Sequence, residues 1–177
     1  RFIRDNYACI PTRGTHDGLR RVSGFARSIT RHWTQPAYFL KADVANFFNS
    51  IDRHILIDLA ERHVPEKWLR VLMRQVILHD PRTNFSKRSP SALFEQVPRH
   101  KSLLHEPDGR GLPIGNLTSQ FFANLYMNEL DQYVKHVLKA KYYGRYVDDI
   151  VLMHEDPDVL NIWYRQIDTF LKSNLAI

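Results

Sequence analysis

Two adjacent aspartates inside an apolar, strand-forming stretch constrain the fold of this chain more than any other feature. Residues 142–153 read YYGRYVDDIVLM, so Asp148 and Asp149 stand between two runs of aromatic and β-branched residues. Two such runs joined by a tight turn predict a β-hairpin, here bending at Val147 and Asp148. The apolar flanks disfavour two like charges unless a cation neutralises them. We therefore expect Mg²⁺, a hard ion that carboxylates and substrate phosphates hold.

Two further segments accompany the aspartate pair, which alone would also suit a solvated hairpin tip. Residues 38–52 read YFLKADVANFFNSID, a β-rich run that leads to a single carboxylate, Asp43. Residues 111–120 read GLPIGNLTSQ, a glycine-bearing turn at the start of a long helical stretch. Adjacent strands would bring Asp43 and Asp148 to one edge of a sheet. Converging carboxylates of this kind hold the metal ions of phosphoryl-transfer sites.

The composition fits a globular domain with room for a core. The 177 residues suit one domain or two small lobes. Hydrophobic residues make up 44% and charged residues 25%, which argues against a disordered chain. Lysine and arginine number 25 against 19 acids, and the resulting net charge of +6 is compatible with a polyanionic partner without establishing one.

The chain lacks the sequence features of disulfide-bonded, zinc-binding and membrane proteins. Cys9 is the single cysteine, so no intramolecular disulfide can form and no cysteine cluster is available for zinc. No apolar run approaches the roughly 20 residues of a membrane span, and the first residues show no signal-peptide pattern. We therefore expect a cytoplasmic protein with no membrane partner.

Apolar periodicity, capping residues and turn residues predict an α+β order of elements. The stretch 80–110 lacks a helical period and is predicted to be irregular, ending in a hairpin signal at 107–111. The other predicted elements, in chain order, are a helix over 17–32 capped by Thr15 or Asp17, a buried strand over 38–44, a helix capped by Asp52 and running to His63, a helix from Pro65 that buries Leu69, Leu72, Val76 and Ile77, a helix over 118–139, the aspartate hairpin, and a helix over 157–174. This order predicts a small antiparallel sheet of the split βαβ type, packed on helices that cover one face.

In this order, the three segments resemble the catalytic motifs of reverse transcriptases, and the resemblance covers most of the chain. It implies the α+β fold of a polymerase palm with partial fingers and no thumb. The implied domains are a fingers portion over 1–36, palm over 37–79, a fingers and palm excursion over 80–115, and palm again over 116–177. Because family segments on either side are missing, we expect a fragment of a longer protein that does not polymerise alone and that self-associates through its open strand edge.

The resemblance implies an RNA-directed DNA polymerase with a two-metal site. Two Mg²⁺ ions, which Mn²⁺ can replace, would serve the joining of a nucleotide to the 3′ hydroxyl of a primer. By this resemblance Asp43 and Asp148 bridge the metals, Asp149 completes the catalytic trio, and the carbonyl of Val44 adds a ligand. The implied substrates are deoxynucleoside triphosphates, an RNA template and a DNA or RNA primer.

The same resemblance implies the nucleotide pocket. Phe48 lies where the family has a bulky aromatic ring that excludes the ribose 2′ hydroxyl, and the neighbouring Phe47 is expected in the core. The backbone amides of Asn46 and Phe47 would meet the triphosphate. Gly115 has no side chain, so its backbone can approach the nascent base pair closely.

One motif departs from the commonest family pattern. Many reverse transcriptases have glutamine before this glycine and end the motif with Ser-Pro, whereas this chain has Ile114 and ends with Ser119 and Gln120. The variant resembles the enzymes of diversity-generating retroelements, whose copying is error-prone at template adenines, and an apolar side chain here is consistent with lower selectivity. Group II intron and retron-like enzymes are near neighbours. A non-catalytic RNA-binding relative and a palm-type phosphotransferase, such as a nucleotide cyclase, are the alternatives.

Residues 7–17, YACIPTRGTHD, resemble the fingers motif that touches the template. The template and primer contacts assigned by resemblance are Arg13, Gly14, Thr15, Arg20, Gln120 and Tyr146. From the residues alone, the arginines are either phosphate contacts or part of a solvated helix face. The resemblance also implies two further partners, a retroelement RNA and a small basic accessory protein.

Overall fold

The computed structural model describes residues 2–86 and 88–177, and within these residues a three-stranded sheet is packed among helices. Arg1, in the predicted fingers portion, and Lys87, in the predicted excursion, lie outside the described residues. No helix among the described residues is both long and apolar enough to cross a membrane. The α-helices and strands are α1 (Thr15–Ile29), β1 (Tyr38–Ala42), α2 (Phe47–Ser50), α3 (Arg53–Glu61), α4 (Lys67–Leu78), α5 (Ser91–Glu95), α6 (Leu117–Gln132), which a π-helical turn (Tyr133–Val137) extends, β2 (Tyr142–Tyr146), β3 (Asp149–His154) and α7 (Pro157–Asn174). Short 3₁₀ helices lie at Pro81–Thr83, Arg99–Lys101 and Leu103–His105.

The hairpin predicted around the aspartate pair is confirmed. β2 and β3 are antiparallel, and the last pair of their ladder joins Tyr146 to Asp149, which leaves Val147 and Asp148 as the turn. β1 pairs antiparallel with the other edge of β3, so the strand order is β1-β3-β2. The strand that begins at the aspartate pair is therefore the central strand of the sheet.

β1 is an edge strand, and the prediction of a buried strand is wrong. Tyr38 is 47% exposed and Phe39 is 72% exposed. In the described part of the chain β1 pairs only with β3, and α1 packs mainly on β2 and β3. The strand also ends at Ala42, before the predicted end at Val44. Aromatic and β-branched residues indicate a strand, but they do not reveal whether other elements cover it.

Helices cover both faces of the sheet, whereas the sequence predicts them on one face. Ile150 and Leu152 of β3 belong to the main core, which α3, α6 and α7 also build. Val151 and Met153 pack with Phe25 of α1 in a second, smaller cluster. Because successive residues of a strand point to opposite faces, β3 is covered from both sides.

The helix predicted from Pro65 forms as α4, but most of its apolar stripe is exposed. Ile77 is buried, whereas Leu72 and Val76 are 47% and 42% exposed and Leu69 is half-buried. The predicted burial of Leu72 and Val76 is therefore wrong. α4 packs mainly against α3, so only one edge of the stripe has a partner. Helical periodicity identifies an apolar face without showing how much of it a neighbour covers.

The hairpin signal at 107–111 forms a turn without a strand pair of its own. The N–H of Arg110 donates to the carbonyl of Pro107 at 3.2 Å, and Gly109 has a φ of +78°. A positive φ at this position is typical of a type II turn. The residues after the turn instead meet the segment before α3, through an isolated bridge between Asp52 and Arg110. The predicted hairpin is therefore wrong in its strands and right in its turn.

The capping residues fix the starts of the helices. Asp52 accepts hydrogen bonds from two N–H groups in the first turn of α3, as predicted. α1 begins at Thr15 with Gly14 as its N-cap, so the cap is neither Thr15 nor Asp17. Asp17 instead accepts a hydrogen bond from the N–H of Gly14 at 3.2 Å. An acidic side chain in this first turn also interacts favourably with the helix dipole.

Candidate active site

The sheet brings Asp43 and Asp148 together. β1 ends at Ala42, opposite Ile150 of β3. Asp43 therefore follows at the same end of the strands as the turn between β2 and β3. The pairing of β1 with β3 brings Asp43 near Asp148, close enough for the two carboxyl groups to interact electrostatically. Burial, together with the negative charges of Asp43 and Asp149, raises the pKa of Asp148. Two close oxygen ligands of like charge fit a hard divalent cation, which relieves their repulsion.

Asp149 points to a different partner. Its carboxylate forms an ion pair with Nζ of Lys41 on β1, at 3.1 Å. Within residues 2–86 and 88–177, no three His, Cys, Asp or Glu side chains form a group that could hold a metal ion. The expected meeting of three carboxylates is thus not seen: Asp43 and Asp148 meet, and Asp149 does not join them. Three negative charges repel one another, and Lys41 offers Asp149 a positive partner.

The turn that carries Asp148 has an unusual backbone. Val147 has a φ of +55°, in the left-handed region that β-branched residues rarely adopt. Such a conformation costs of the order of 1–3 kcal/mol and persists where the surrounding structure holds it. The side chain of Val147 is half-buried against the main core. The carboxylate of Asp148 therefore depends on a strained turn for its position.

The glycine-bearing turn lies next to the predicted gate. The N–H of Gly111 donates to the carbonyl of Ile51, and the N–H of Leu112 donates to the carbonyl of Phe48, both at 2.8 Å. Gly115 follows with a φ of +102°, and a Cβ atom added there would have open space around it. Ile114 beside it is 76% exposed. The turn therefore presents Ile114 and the Gly115 backbone to an open surface, a few residues after the backbone bond to Phe48.

The two phenylalanines of α2 differ in burial. Phe47 is 2% exposed and belongs to the main core, whereas Phe48 is half-buried at the edge of that core. Their rings meet edge to face, with 5.5 Å between centroids. Asn46, the N-cap of α2, has a φ of +53°, and Val44 lies partly buried against the core. The ring of Phe48 is therefore the accessible one of the pair.

Two of the predicted template contacts are engaged within the protein. The guanidinium of Arg13 donates to the carbonyls of Ile3, Arg4 and Asn6. Arg13 thus holds the N-terminal segment in place. Arg20 is exposed and forms an ion pair with Asp17. The partners of Arg13 depend on how the N-terminal segment folds back, whereas Asp17 lies one helical turn before Arg20 on α1.

The other predicted template and primer contacts lie at the protein surface. Gly14 caps α1 and Thr15 is its exposed first residue. Gln120 is exposed on α6 and accepts a weak hydrogen bond from the thiol of Cys9 at 3.5 Å. Tyr146 is 42% exposed and ends the strand that leads into the aspartate turn. Gln120 and Tyr146 are thus accessible to a partner.

A buried polar network behind the aspartate turn was missed at the sequence level. Arg145 of β2 is 1% exposed and pairs with Asp131 of α6, whose side chain is fully buried. Tyr143 and Asn124 also bond to this pair. The available signal was a charged residue in the middle of a strand whose neighbours are apolar or aromatic. Such a residue is almost always paired when it is buried.

Nearly the whole sequence matches the model of a protein family. A family model described as reverse transcriptase (RNA-dependent DNA polymerase) covers residues 2–176. The chain belongs to the reverse transcriptase family. The predicted family and the predicted α+β fold, a small antiparallel sheet packed on helices as in the reverse transcriptase palm, are therefore confirmed.

A known reverse transcriptase shows partial similarity to this one. The Retron Ec83 reverse transcriptase of Escherichia coli is 27% identical over 137 residues. The alignment covers 76% of this chain and 38% of that protein. The chain thus spans well under half the length of this bacterial reverse transcriptase.

Proposed function

We propose that the protein is an RNA-directed DNA polymerase that adds deoxynucleotides to the 3′ hydroxyl of a primer. The observation that carries the proposal is the approach of Asp43 and Asp148, which lie far apart in sequence and meet at one sheet edge. The open turn at Gly115 and the accessible ring of Phe48 lie on segments that backbone hydrogen bonds join to each other. Membership of the reverse transcriptase family supports the same activity.

The carboxylates are the proposed metal ligands. Asp43 and Asp148, with Asp149 and the carbonyl of Val44, would hold Mg²⁺ or Mn²⁺. Bound ions of this kind activate the attacking hydroxyl and stabilise the leaving pyrophosphate. The protein's own part is to fix Asp43 at the end of a strand and Asp148 in a strained turn. Asp149, which pairs with Lys41 in this structure, would have to leave that ion pair to reach the ions.

The remaining roles follow the resemblance. In this proposal Phe48 excludes the ribose 2′ hydroxyl, and the amides of Asn46 and Phe47 receive the triphosphate. Ile114 and Gly115 would face the nascent base pair. The proposed template and primer contacts are Arg13, Gly14, Thr15, Arg20, Gln120 and Tyr146. Because the guanidinium of Arg13 is engaged with backbone carbonyls, its role would be to shape the fingers segment that meets the template.

The domain assignment and the partners belong to the same proposal. Residues 1–36 form a fingers portion, 37–79 and 116–177 form palm, and 80–115 form an excursion between the two. An RNA template, a DNA or RNA primer and deoxynucleoside triphosphates are the substrates. A retroelement RNA and a small basic accessory protein are the proposed further partners. The exposed edge of β1, with Phe39 on it, supports the proposal that isolated chains self-associate.

Two retroelement classes are candidates for the biological role. Ile114, with Ser119 and Gln120, favours a diversity-generating retroelement, because this variant resembles that subfamily. The similarity to a retron reverse transcriptase favours a retron-like enzyme instead. Copying errors concentrated at template adenines would support the diversity-generating class, and an even distribution of errors would count against it.

Extension of an oligo(dT) primer on poly(rA) tests the proposed activity. The full-length protein should extend the primer with Mg²⁺ or Mn²⁺ and dTTP, and Asp148→Ala should not. Failure of the wild-type protein to extend any primer, with RNA binding retained, would indicate the non-catalytic RNA-binding relative. Conversion of a nucleoside triphosphate to a cyclic nucleotide without template would indicate the cyclase alternative.

A further inference from the structure

The side chain of Arg145 is held in a fixed orientation by Asp131. Nε of Arg145 donates to Oδ1 of Asp131 at 2.8 Å, and Nη2 donates to Oδ2 at 2.7 Å. This bidentate geometry restricts the orientation of the guanidinium more than a single hydrogen bond would. Both side chains are fully buried, so water does not compete for their hydrogen bonds. The pair joins β2 to the long helix α6.

The remaining terminal nitrogen of this guanidinium reaches the aspartate turn. Nη1 of Arg145 donates to the carbonyl of Val147 at 2.5 Å. Val147 is the residue with the φ of +55°, and its carbonyl belongs to the peptide that links it to Asp148. A hydrogen bond from a charged donor is about twice as strong as a neutral one. This bond therefore opposes relaxation of the strained turn at the peptide that joins Val147 to Asp148.

We propose that Arg145 is a positioning residue that locks the Val147 turn and so fixes the carboxylate of Asp148 beside that of Asp43. This inference rests on the proposed polymerase function for its catalytic consequence. The lock itself consists of Asp131, Arg145 and the carbonyl of Val147. Arg145 acts through the turn, and it does not itself meet the substrate.

Further hydrogen bonds to Arg145 restrict the movement of its side chain and backbone. Oδ1 of Asn124 accepts from Nη2 of Arg145 at 3.0 Å and from Nδ2 of Asn6 at 2.6 Å. The backbone of the N-terminal segment also pairs with β2 here: the N–H of Arg145 donates to the carbonyl of Asp5, and the N–H of Tyr7 donates to the carbonyl of Arg145. The lock thus draws on α6, β2 and the N-terminal segment together.

A purely structural ion pair is the competing explanation. Buried ion pairs often contribute little net stability, although removing one partner is strongly destabilising. A structural pair would affect activity only through the amount of folded protein. A lock would also change metal binding and turnover in the folded fraction. Tyr143 offers a matched control. Its hydroxyl donates to the same Oδ1 of Asp131 at 2.6 Å, whereas the hydrogen bond to the carbonyl of Val147 comes from Arg145.

The test compares Arg145→Lys with Tyr143→Phe in the full-length protein. Lysine keeps the positive charge, but it cannot make bidentate hydrogen bonds to Asp131 and also bind the carbonyl of Val147. We expect Arg145→Lys to lower kcat by about 100-fold, the effect of displacing a reacting group by about 1 Å. Affinity for Mn²⁺ alone, measured by electron paramagnetic resonance, should fall as well, with KM for primer–template little changed. Tyr143→Phe should alter Tm without either effect.

Two further variants keep the inference testable if Arg145→Lys does not fold. Asp131→Asn preserves the shape of the side chain and weakens its bidentate hydrogen bonds with Arg145. Both kcat and Mn²⁺ affinity should therefore fall. Val147→Gly removes the strain at positive φ, so it should restore part of the Mn²⁺ affinity lost in Arg145→Lys or Asp131→Asn. Non-additivity of this kind shows that the two sites act on one element.

Equal losses in the arginine variant and in Tyr143→Phe, scaling with Tm, would overturn the lock, as would unchanged Mn²⁺ affinity in both Arg145→Lys and Asp131→Asn. The metal measurement needs no polymerisation. A wild-type protein that binds Mn²⁺ but extends no primer would therefore overturn the proposed function, while the Mn²⁺ affinities of the variants would still decide whether Arg145 locks the turn.

Discussion

The N–H of Leu112 donates to the carbonyl of Phe48 at 2.8 Å. This hydrogen bond joins two segments that are far apart in sequence, the one that leads into the Gly115 turn and the helix that carries the accessible aromatic ring. It lies close to the strand end at Asp43, because α2 follows β1 after a short connection. The candidate site is therefore built from segments that are distant in sequence and become neighbours through this bond, the bond of Gly111 to Ile51 and the pairing of β1 with β3.

Removing the carboxylate of Asp148 should abolish primer extension without unfolding the protein. Asp148→Ala deletes a proposed metal ligand, and metal stabilisation of the transition state is worth several kcal/mol. The same change relieves repulsion with Asp43, so Tm should stay unchanged or rise. Extension assays and thermal unfolding check both. Asp58→Ala, which removes an exposed carboxylate on α3, is the matched control, and wild-type activity in Asp148→Ala would refute the metal assignment.

The two phenylalanines of α2 should separate selectivity from stability. Phe48→Ala should raise the incorporation of ribonucleotides relative to deoxynucleotides, because the ring that would meet the 2′ hydroxyl is lost. Phe47→Ala should instead lower the free energy of unfolding by about 3–5 kcal/mol, since Phe47 is a buried core ring. Competition assays with the two nucleotide types and denaturant titrations distinguish them. An unchanged sugar preference in Phe48→Ala would exclude it as the gate.

Gly111 should be intolerant of any side chain. Its φ is +79°, and an added Cβ would overlap Cδ1 of Leu103 and lie 3.1 Å from the carbonyl oxygen of Asn49. Gly111→Ala should destabilise the protein by at least about 1–3 kcal/mol, the usual cost of such backbone strain. Gly14→Ala is the control, because an added Cβ there meets no atom within 4 Å. Similar Tm values for the two variants would contradict the packing at Leu103.

Ile114→Gln should change copying accuracy and leave stability alone. Ile114 is 76% exposed, so the substitution disturbs no packing, and glutamine adds a hydrogen-bonding group next to the proposed nascent pair. We expect fewer errors at template adenines when the cDNA of both proteins is sequenced. Thr118→Ala, on the same exposed helix start, serves as a control for the variant. An identical error spectrum would remove Ile114 from the argument for a diversity-generating enzyme.

Asp5 should make the fold sensitive to acid. Burial by itself would raise the pKa of Asp5, but hydrogen bonds from Arg21 and Tyr7 and the charge of Lys135 lower it below its ordinary value of 3.8. A carboxyl whose pKa is lower in the folded state stabilises the fold above the unfolded pKa, and this contribution is lost as the pH falls through the folded pKa.

The Asp5→Asn variant isolates this contribution. Its free energy of unfolding at pH 7 should be lower by about 1–3 kcal/mol, because charge-assisted hydrogen bonds are weakened. The difference from the wild-type protein should shrink as the pH falls below about 4. Thermal unfolding between pH 7 and pH 3 measures both effects. A constant difference across this range would show that the ionisation of Asp5 does not matter to stability.

Several features of this protein follow from the sequence because they depend on neighbouring residues. The turn at Val147 and Asp148, the cap at Asp52, and the helical stretches that became α6 and α7 are all set by interactions over a few positions. The order of the three motif segments likewise sufficed to identify the reverse transcriptase family. Turns, caps and helices of this kind depend little on how the distant parts of the chain fold.

Other features were decided only by the tertiary structure. The exposure of β1 and of Leu72 depends on which elements happen to cover them, and periodicity carries no information about that. The pairing of Asp149 with Lys41, and of Arg145 with Asp131, depends on which charges the folded chain brings within a few ångströms. Because the strength of a charge pair depends on distance and burial, these partners emerged only once the sheet and α6 were in place.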